Sequence, residues 1–285
     1  MKTKMNIKYI RYYSIFLTIL SASIFNGCQK VINVDLNEAA PHIVIEGLIT
    51  DKPGPYNVLI SKSGSYFNQP VLPPVSGAMV IISDNAGTID TLDELKPGSY
   101  FTSKTRGIPG HTYTLKVISE NNEYTGTSTM HSHVRIDSLG LVKTLTQHIG
   151  FGGNTRSDIN VSIHCYFNDP AEKNFYRIKV ITNDSIRLGE YRLYDDQYTN
   201  NQEIDMRVAG AAAGDTDIIE LYSLDNQTYE YYRTLEDLLN TNPIFGSTPA
   251  NPNTNLSNGA LGYFGASAVS SKSLIITKSM LYKLK

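Results

Sequence analysis

The sequence predicts a mainly-β protein: a β-sandwich module followed by a second β-rich module with one α-helix. Three observations carry this. Short apolar runs alternate with period two and are punctuated by Pro, Gly and Asn turns roughly every eight to twelve residues. The composition has 19 Tyr, 9 Phe and no Trp, with 21 Gly and 12 Pro, a mixture that suits pleated strands joined by turns. A single segment, near residues 225–240, combines helical spacing of apolar residues with a capping residue.

The chain opens with Lys2, Lys4, Lys8 and Arg11 and no acidic residue, then an apolar run from Tyr12 to Phe25. A basic start before an apolar core too short to span a membrane stably is the physics of an export signal. Gly27 is followed directly by Cys28, with Phe25 and Asn26 before it. This arrangement resembles the lipobox of bacterial lipoproteins, in which the cysteine sulfur takes a diacylglyceryl group and becomes the first mature residue. Two other readings stand beside it: a plain signal peptide cut near Ala22 that leaves Cys28 free, and a Cys28–Cys165 disulfide. The lipid reading is preferred because an exported chain has little reason to keep an unpaired cysteine near its start. Cys165, in "VSIHCYFND", sits in an alternating run and reads as a small strand residue. Residues 1–27 are therefore the expected lipoprotein signal peptide, residues 28–40 a tether, and Cys28 the lipidation site. Several acyl chains, such as palmitate, hold a protein on a membrane stably where one does so only marginally.

Charge narrows the partners. The whole chain has 25 basic and 27 acidic residues. Removing the four leader cations leaves 21 against 27, about −6 by formal charge. Nucleic acid and anionic lipid surfaces are not expected partners of such a body.

The first module is placed at residues 33–130. In "PHIVIEGLITD", Ile43, Ile45 and Leu48 are expected on one face of a strand, with Val44 and Glu46 on the other. "KPGPYNVLISKSGSY" adds a Pro-Gly-Pro turn and a strand through Val58 and Ile60, making a hairpin. Pro70, Pro73 and Pro74 lack the N–H that a central strand needs, so they mark a loop. A strand over Ala78–Ser83 ends at "DNAG". Turns follow at "KPGSY" and "GIPGHTY", and Tyr113, Leu115 and Val117 alternate. The order "GAMVIISDNAG…PGSYFTS…GIPGHTYTLKV" resembles the immunoglobulin-like or prealbumin-like β-sandwich modules frequent on bacterial surfaces.

The second module is placed at residues 131–285. "DINVSIHCYFNDP" and "NFYRIKVIT" are expected to pair in antiparallel fashion across the turn "NDPAEKN". "LGEYRLYDDQYTNNQEIDMRV" and "GSTPANPNTNLSNGALGYFG" read as loops or edges. "TDIIELYSL" is strand-like. After it, Asp225 is the expected N-cap of the helix, with Leu224 and Tyr229 at the spacing of a hydrophobic staple. Tyr232, Leu235, Leu238 and Leu239 lie along one face, and Pro243 acts as the stop. "LGYFGASAVSSKSLIITK" closes the module with small-aromatic and β-branched alternation.

Taken together, "GCQKVINVDLNEAAPHIVIEGLITDKPGPYNVLISKS", "VSGAMVIISDNAG", "YEYYRTLEDLL" and "NPNTNLSNGALGYFGASAVSSKS" resemble the Bacteroidota lipoproteins grouped as domain of unknown function 4249. The resemblance runs over nearly the whole mature chain. It implies an exported outer-membrane lipoprotein associated with a TonB-dependent receptor, and it implies no established activity. The expected function is that of a non-catalytic accessory to a TonB-dependent transporter in nutrient capture, on the cell surface or the periplasmic face. A surface glycan-binding or adhesion protein without a receptor is the alternative, and a hydrolase whose site no motif reveals is the third reading.

Enzyme signatures are thin: no G-x-S-x-G elbow, P-loop or dinucleotide fingerprint occurs, and no cofactor is expected. His131 and His133 would lie on one side of a strand as half of a zinc site, but no third ligand is near, with His148 and His164 in other segments, so no metal is expected. Asp195 and Asp196 in "YDDQ" and Asp217 and Glu220 in "TDIIE" are carboxylates of the type a glycosidase pairs. "GFGGN" at 150–154 reads as a flexible turn. Binding has better support. Tyr191, Tyr194, Tyr198, Asn200 and Asn201, with Gln202, form an aromatic and amide-rich stretch able to stack on a ligand and hydrogen-bond its polar edge. Residues 247–260 are a second expected contact surface, one that would order on binding a partner.

Overall fold

The computed structural model describes residues 41–64, 72–149, 155–186, 192–240 and 251–284. The signal peptide, Cys28, the tether, Pro70, "GFGGN", Tyr191, Pro243 and residues 247–250 lie outside the described residues.

Strands β1 (Ile43–Thr50) and β2 (Asn57–Lys62) form the expected hairpin, with Ile45 opposite Ile60. Ile43, Ile45 and Ile49 are buried, and Glu46 is exposed. Leu48 departs from expectation. Strict alternation puts it on the Glu46 side, where it packs against a separate aromatic cluster, and Ile49 takes the core position. Four strands, β3 (Met79–Asp84), β4 (Ile89–Thr91), β7 (Thr112–Ser119) and β8 (Asn122–Thr129), make a sheet ordered β4-β3-β7-β8. β5 (Asp93–Lys96) and β6 (Ser99–Phe101) extend the β1–β2 sheet instead. The two sheets close on one apolar core. Ile45, Ile49, Val58, Ile60 and Tyr100 come from one side, Val80, Ile82, Tyr113, Leu115 and Val117 from the other. Alternating residues of two sheets filling one core is a sandwich arrangement.

The rest of the chain builds β9 (Ser138–Ile149), β10 (Thr155–Asn168), β11 (Phe175–Thr182), β12 (Ser185–Ile186), β13 (Arg192–Asp195), β14 (Glu203–Gly210), β15 (Thr216–Leu224) and β16 (Leu261–Ile275). The expected pairing of "DINVSIHCYF" with "FYRIKVIT" does not form. β10 lies between β14 and β9 in a three-stranded sheet, while β11 pairs with β15, β13 and β12. The segment 169–174 carries the chain from one sheet to the other, so Ile163, Cys165 and Phe167 meet Tyr176, Ile178 and Val180 face to face across a second core. The Phe167 and Tyr176 rings meet edge-on at 5.1 Å. Cys165 is a free thiol within this core, and burial pushes its pKa up to about 12.

β16 joins the two halves. It pairs parallel with β1 through Val44 to Thr50 and antiparallel with β15, giving the order β12-β11-β15-β16-β1-β2-β6-β5 with β13 beside β11. The first core draws on residues between 43 and 130 together with Leu256, Ala260, Phe264, Ala266 and Ala268, and the second on residues from 134 to 276. Residues 40–285 form one compact unit. Gly262 makes the parallel pairing possible: its φ is +93°, and a Cβ there would lie 2.1 Å from the Ile45 carbonyl oxygen.

Helix α1 (Asn226–Asn240) lies on the side of the large sheet facing away from the cores. Asp225 is its N-cap: Oδ1 accepts the Thr228 N–H at 2.7 Å, and Oδ2 accepts the Ser128 hydroxyl and, at 3.2 Å, the Thr129 N–H. Leu224 and Tyr229 share an apolar cluster with Phe175, Tyr222, Tyr231, Tyr232 and Val269, against which Leu235 packs. Leu239, expected on that face, is 59% exposed. A second helix, α2 (Lys278–Lys283), was not expected; Thr277 caps it by accepting the Met280 N–H. Among the described residues no helix is long and apolar enough to cross a membrane.

Residues 251–260 are tied down, contrary to the expected ordering on binding. Asn255 bonds Thr127 O, Phe264 O and Phe264 N–H, Ser257 Oγ accepts the Thr125 N–H, and Leu256 is buried in the first core. An Asn amide that pairs backbone groups which would otherwise be left unsatisfied helps to hold a polar loop in place.

Candidate functional site

The aromatic and amide-rich stretch forms a turn between β13 and β14. Its backbone is fastened to the segment 169–174 from several directions. Asp196, only 1% exposed, accepts the Asn174 N–H on Oδ2 at 2.7 Å, and its carbonyl accepts the Thr199 N–H at 3.0 Å. The Asn200 amide donates to Ala171 O at 3.0 Å. Asn201 stands at φ +59° and donates its N–H to Asp169 Oδ2 at 3.2 Å, while the Asp169 N–H donates to Gln202 O at 2.9 Å. Below the turn, the Tyr176 hydroxyl donates to Asp169 Oδ1 at 2.5 Å. Burial raises the Asp169 carboxyl above its ordinary value and the nearby Asp196 adds to this, while the bonds from Tyr176 and Asn201 offset part of it. Tyr176 is driven well above the usual phenol range, by burial first and then by its bond to Asp169.

This bracing sorts the expected binding residues. Tyr194 turns inward: it is half-buried, its ring stacks on Tyr176 at 6.3 Å, and its hydroxyl bonds Thr199. Tyr198 points the other way and is 86% exposed. Asn200 and Asn201 stay on the surface beside it, each giving one N–H to the brace. The geometry therefore brings Tyr198, Asn200 and Asn201 together on one rigid tip and withdraws Tyr194. An exposed aromatic ring on a backbone that is already fixed loses little further entropy when it is covered.

The other polar candidates serve the fold. His131 and His133 lie in the strand-free segment 130–137, so they do not share a strand face; His133 Nε2 lies 3.3 Å from Val269 O and 4.0 Å from Asp51. Among the described residues no group of three or more His, Cys, Asp or Glu is placed to hold a metal ion. The carboxylates weighed as a glycosidic pair are engaged separately. Asp196 holds Asn174, Asp217 is fully buried against Thr182, and Glu220 is met by Lys52 at 2.8 Å and Lys179 at 3.5 Å. A shallow, partly open recess lined by Ile82, Ser83, Asp84, Thr88, Thr105, Arg106 and Tyr113 has room for about one water molecule, far less than a small-molecule site needs.

One arrangement escaped the sequence. Ser162 Oγ lies 3.2 Å from His164 Nε2, and His164 Nδ1 lies 2.5 Å from Asp205. Hydroxyl, imidazole and carboxylate stand in the order of a nucleophilic relay. Ser162, however, is only 3% exposed and also donates to Val142 O at 3.4 Å. A hydroxyl closed off in this way leaves the trio as a brace joining β10 to β14. Ser162 and His164 are two apart on an alternating run, which was legible, but Asp205 arrives from a strand whose pairing was not.

A family model described as "Domain of unknown function (DUF4249)" matches residues 29–273. No curated protein matches. Among solved structures the chain is similar to the selenomethionine-substituted chicken interferon gamma receptor alpha chain, with 8% identity, 65% of this chain and 90% of that chain covered, and a TM-score of 0.18.

Proposed function

The chain belongs to the DUF4249 family, and from that premise we propose that it is an outer-membrane lipoprotein, held through Cys28, that acts as a non-catalytic binding accessory of a TonB-dependent transporter in nutrient capture. The observation behind this reading is the tip of the β13–β14 turn, where Tyr198 is 86% exposed on a backbone fixed by Asp169, Asn174 and Ala171. A projecting tyrosine on a fastened backbone is the kind of residue that anchors a protein contact, because it offers a large contact area for two side-chain torsions. A lipid anchor would hold the body beside a receptor in the same membrane, so weak contacts suffice for lasting association. Native protein solubilised gently from membranes should then co-purify with a large β-barrel; isolation always alone speaks against the reading.

The same tip supports a second reading, a surface glycan binder. Tyr198 could stack on a sugar ring while Asn200 and Asn201 bond its hydroxyls. Retention on polysaccharide gels that is lost in Tyr198→Ala would favour it, and passage of the wild-type protein without retention would discard it.

A further inference from the structure

Strands β9 and β10 pair without interruption from Ser138 opposite Tyr166 to Ile149 opposite Thr155. β14 lies along β10 only from Ser162 to Asn168. The two strands therefore run on as a ribbon, residues 143–149 against 155–161, with no third strand beside it among the described residues. A two-stranded ribbon alone in water is marginally stable.

The ribbon continues one face of the second core without a cover. Ile163, Cys165 and Phe167 are buried on that face of β10, and Leu139 and Leu141 pack against the same core from β9. By period two the next residues on this face are Val161 and Ile159 on β10, and Lys143 and Leu145 on β9. Leu145 and Ile159 stand directly opposite each other and are 58% and 60% exposed.

The backbone is open as well. The Val161 carbonyl accepts the Ala211 N–H at 2.9 Å and so points away from β9. Peptide groups along an antiparallel strand alternate in direction. Lys143 opposite Val161, Leu145 opposite Ile159 and Gln147 opposite Ser157 thus present their N–H and C=O groups to the free side of β9. Natural edges are blunted by proline, bulges or charges. This stretch of β9 has no proline, its register with β10 is unbroken, and Lys143 is its one permanent charge.

We infer that this edge pairs antiparallel with the same edge of a second copy of the chain, about a two-fold axis at Leu145. The sequence of the edge selects the occupant, because in this register it is complementary to itself. With Leu145 opposite Leu145, each Lys143 faces Gln147 of the other copy and each Thr144 faces Thr146. Ile159 and Leu145 of both copies then join into one apolar stripe across four strands. An axis at Thr144 would set Lys143 against Leu145, and one at Lys143 would oppose two ammonium groups. The outward N–H and C=O groups of Leu145 meet their equivalents across the axis, as an isologous strand pair requires.

A single strand pair is a small contact, so the test traps it covalently in the full-length chain. Two differently tagged forms, Thr144→Cys and Thr146→Cys, are produced together and treated with a mild oxidant. In the inferred register these positions are directly opposite, about 4.5 Å apart between Cα atoms and within disulfide reach, whereas two copies of the same variant hold their cysteines too far apart. The mixed dimer should exceed either same-variant dimer by about tenfold or more. Wild-type protein, in which Cys165 is buried, sets the background. Adding Leu145→Lys to both forms places two like charges at the axis and should remove the mixed dimer, with the urea midpoint unchanged because Leu145 is exposed. No dimer above background, same-variant dimers as abundant as the mixed one, cross-linking to a different protein instead, or a mixed dimer undiminished by Leu145→Lys would each overturn the inference.

Discussion

The Tyr176 hydroxyl donates to Asp169 Oδ1 at 2.5 Å beneath the turn that carries Tyr198. The other oxygen of the same carboxylate accepts the Asn201 N–H. One buried carboxylate therefore links the second core to the exposed tip, and the rigidity of the tip depends on a contact that no ligand would touch.

Tyr176→Phe should cost about 1–3 kcal/mol at neutral pH, because it leaves that carboxylate without its strongest donor. The folded-state pKa of Asp169 is already raised above the reference value of 3.8, so the folded state holds its proton more tightly than the unfolded one. Stability from this group is present below the unfolded value and is lost as pH rises through the folded one. Removing the hydroxyl raises the folded value further. Urea unfolding should therefore show a deficit that is large at pH 7 and smaller in acid; an equal deficit at both would exclude the linkage.

Asp225→Ala should cost roughly 2–4 kcal/mol, combining a lost N-cap with buried donors left unpaired at Ser128 and Thr129. Asp225→Asn should cost less, since its oxygen can still accept the Thr228 N–H. The checks are urea midpoints at constant m-value. A loss within about 0.5 kcal/mol for the alanine variant would show that α1 does not depend on this cap.

Much of this was legible. Helix α1, its cap and its staple could be read because Asp225, Leu224 and Tyr229 lie within five residues of one another, and local geometry is enough to specify them. The strands around Ile45, Ile60 and Leu115 could be read because strict alternation exposes one face and buries the other. What stayed hidden is non-local. Nothing near Val44 announces a parallel partner at Leu261, and the neighbours Phe167 and Phe175 reveal by their spacing neither that they belong to different sheets nor which strands they join. The same limit applies to the site. Tyr194 and Tyr198 are equivalent as residues in "LYDDQYTNN", and only the fold, which puts Tyr176 under the first and solvent over the second, separates them.

Ser162 should be inert. Incubated with a fluorophosphonate, the native protein should gain no mass on the peptide that carries Ser162, because the hydroxyl is covered despite its neighbour His164. Rapid labelling that is abolished in His164→Ala would instead make the trio a working nucleophile and favour the hydrolase reading.

Cys28→Ser should move the protein from the membrane fraction to the soluble fraction, since one sulfur is the proposed point of attachment. Unchanged membrane retention would contradict anchoring through this residue. Protease treatment of intact cells would then tell which side of the outer membrane the body faces.

The proposal that a braced tyrosine makes the partner contact is tested most directly by comparing wild-type and Tyr198→Ala protein, both still membrane-bound, in gentle co-purification. The substitution removes an exposed side chain and should leave the unfolding midpoint unchanged, while the amount of β-barrel recovered with the protein should fall about tenfold, as loss of an anchoring aromatic worth roughly 1.4 kcal/mol requires. Equal recovery with the two proteins would contradict it.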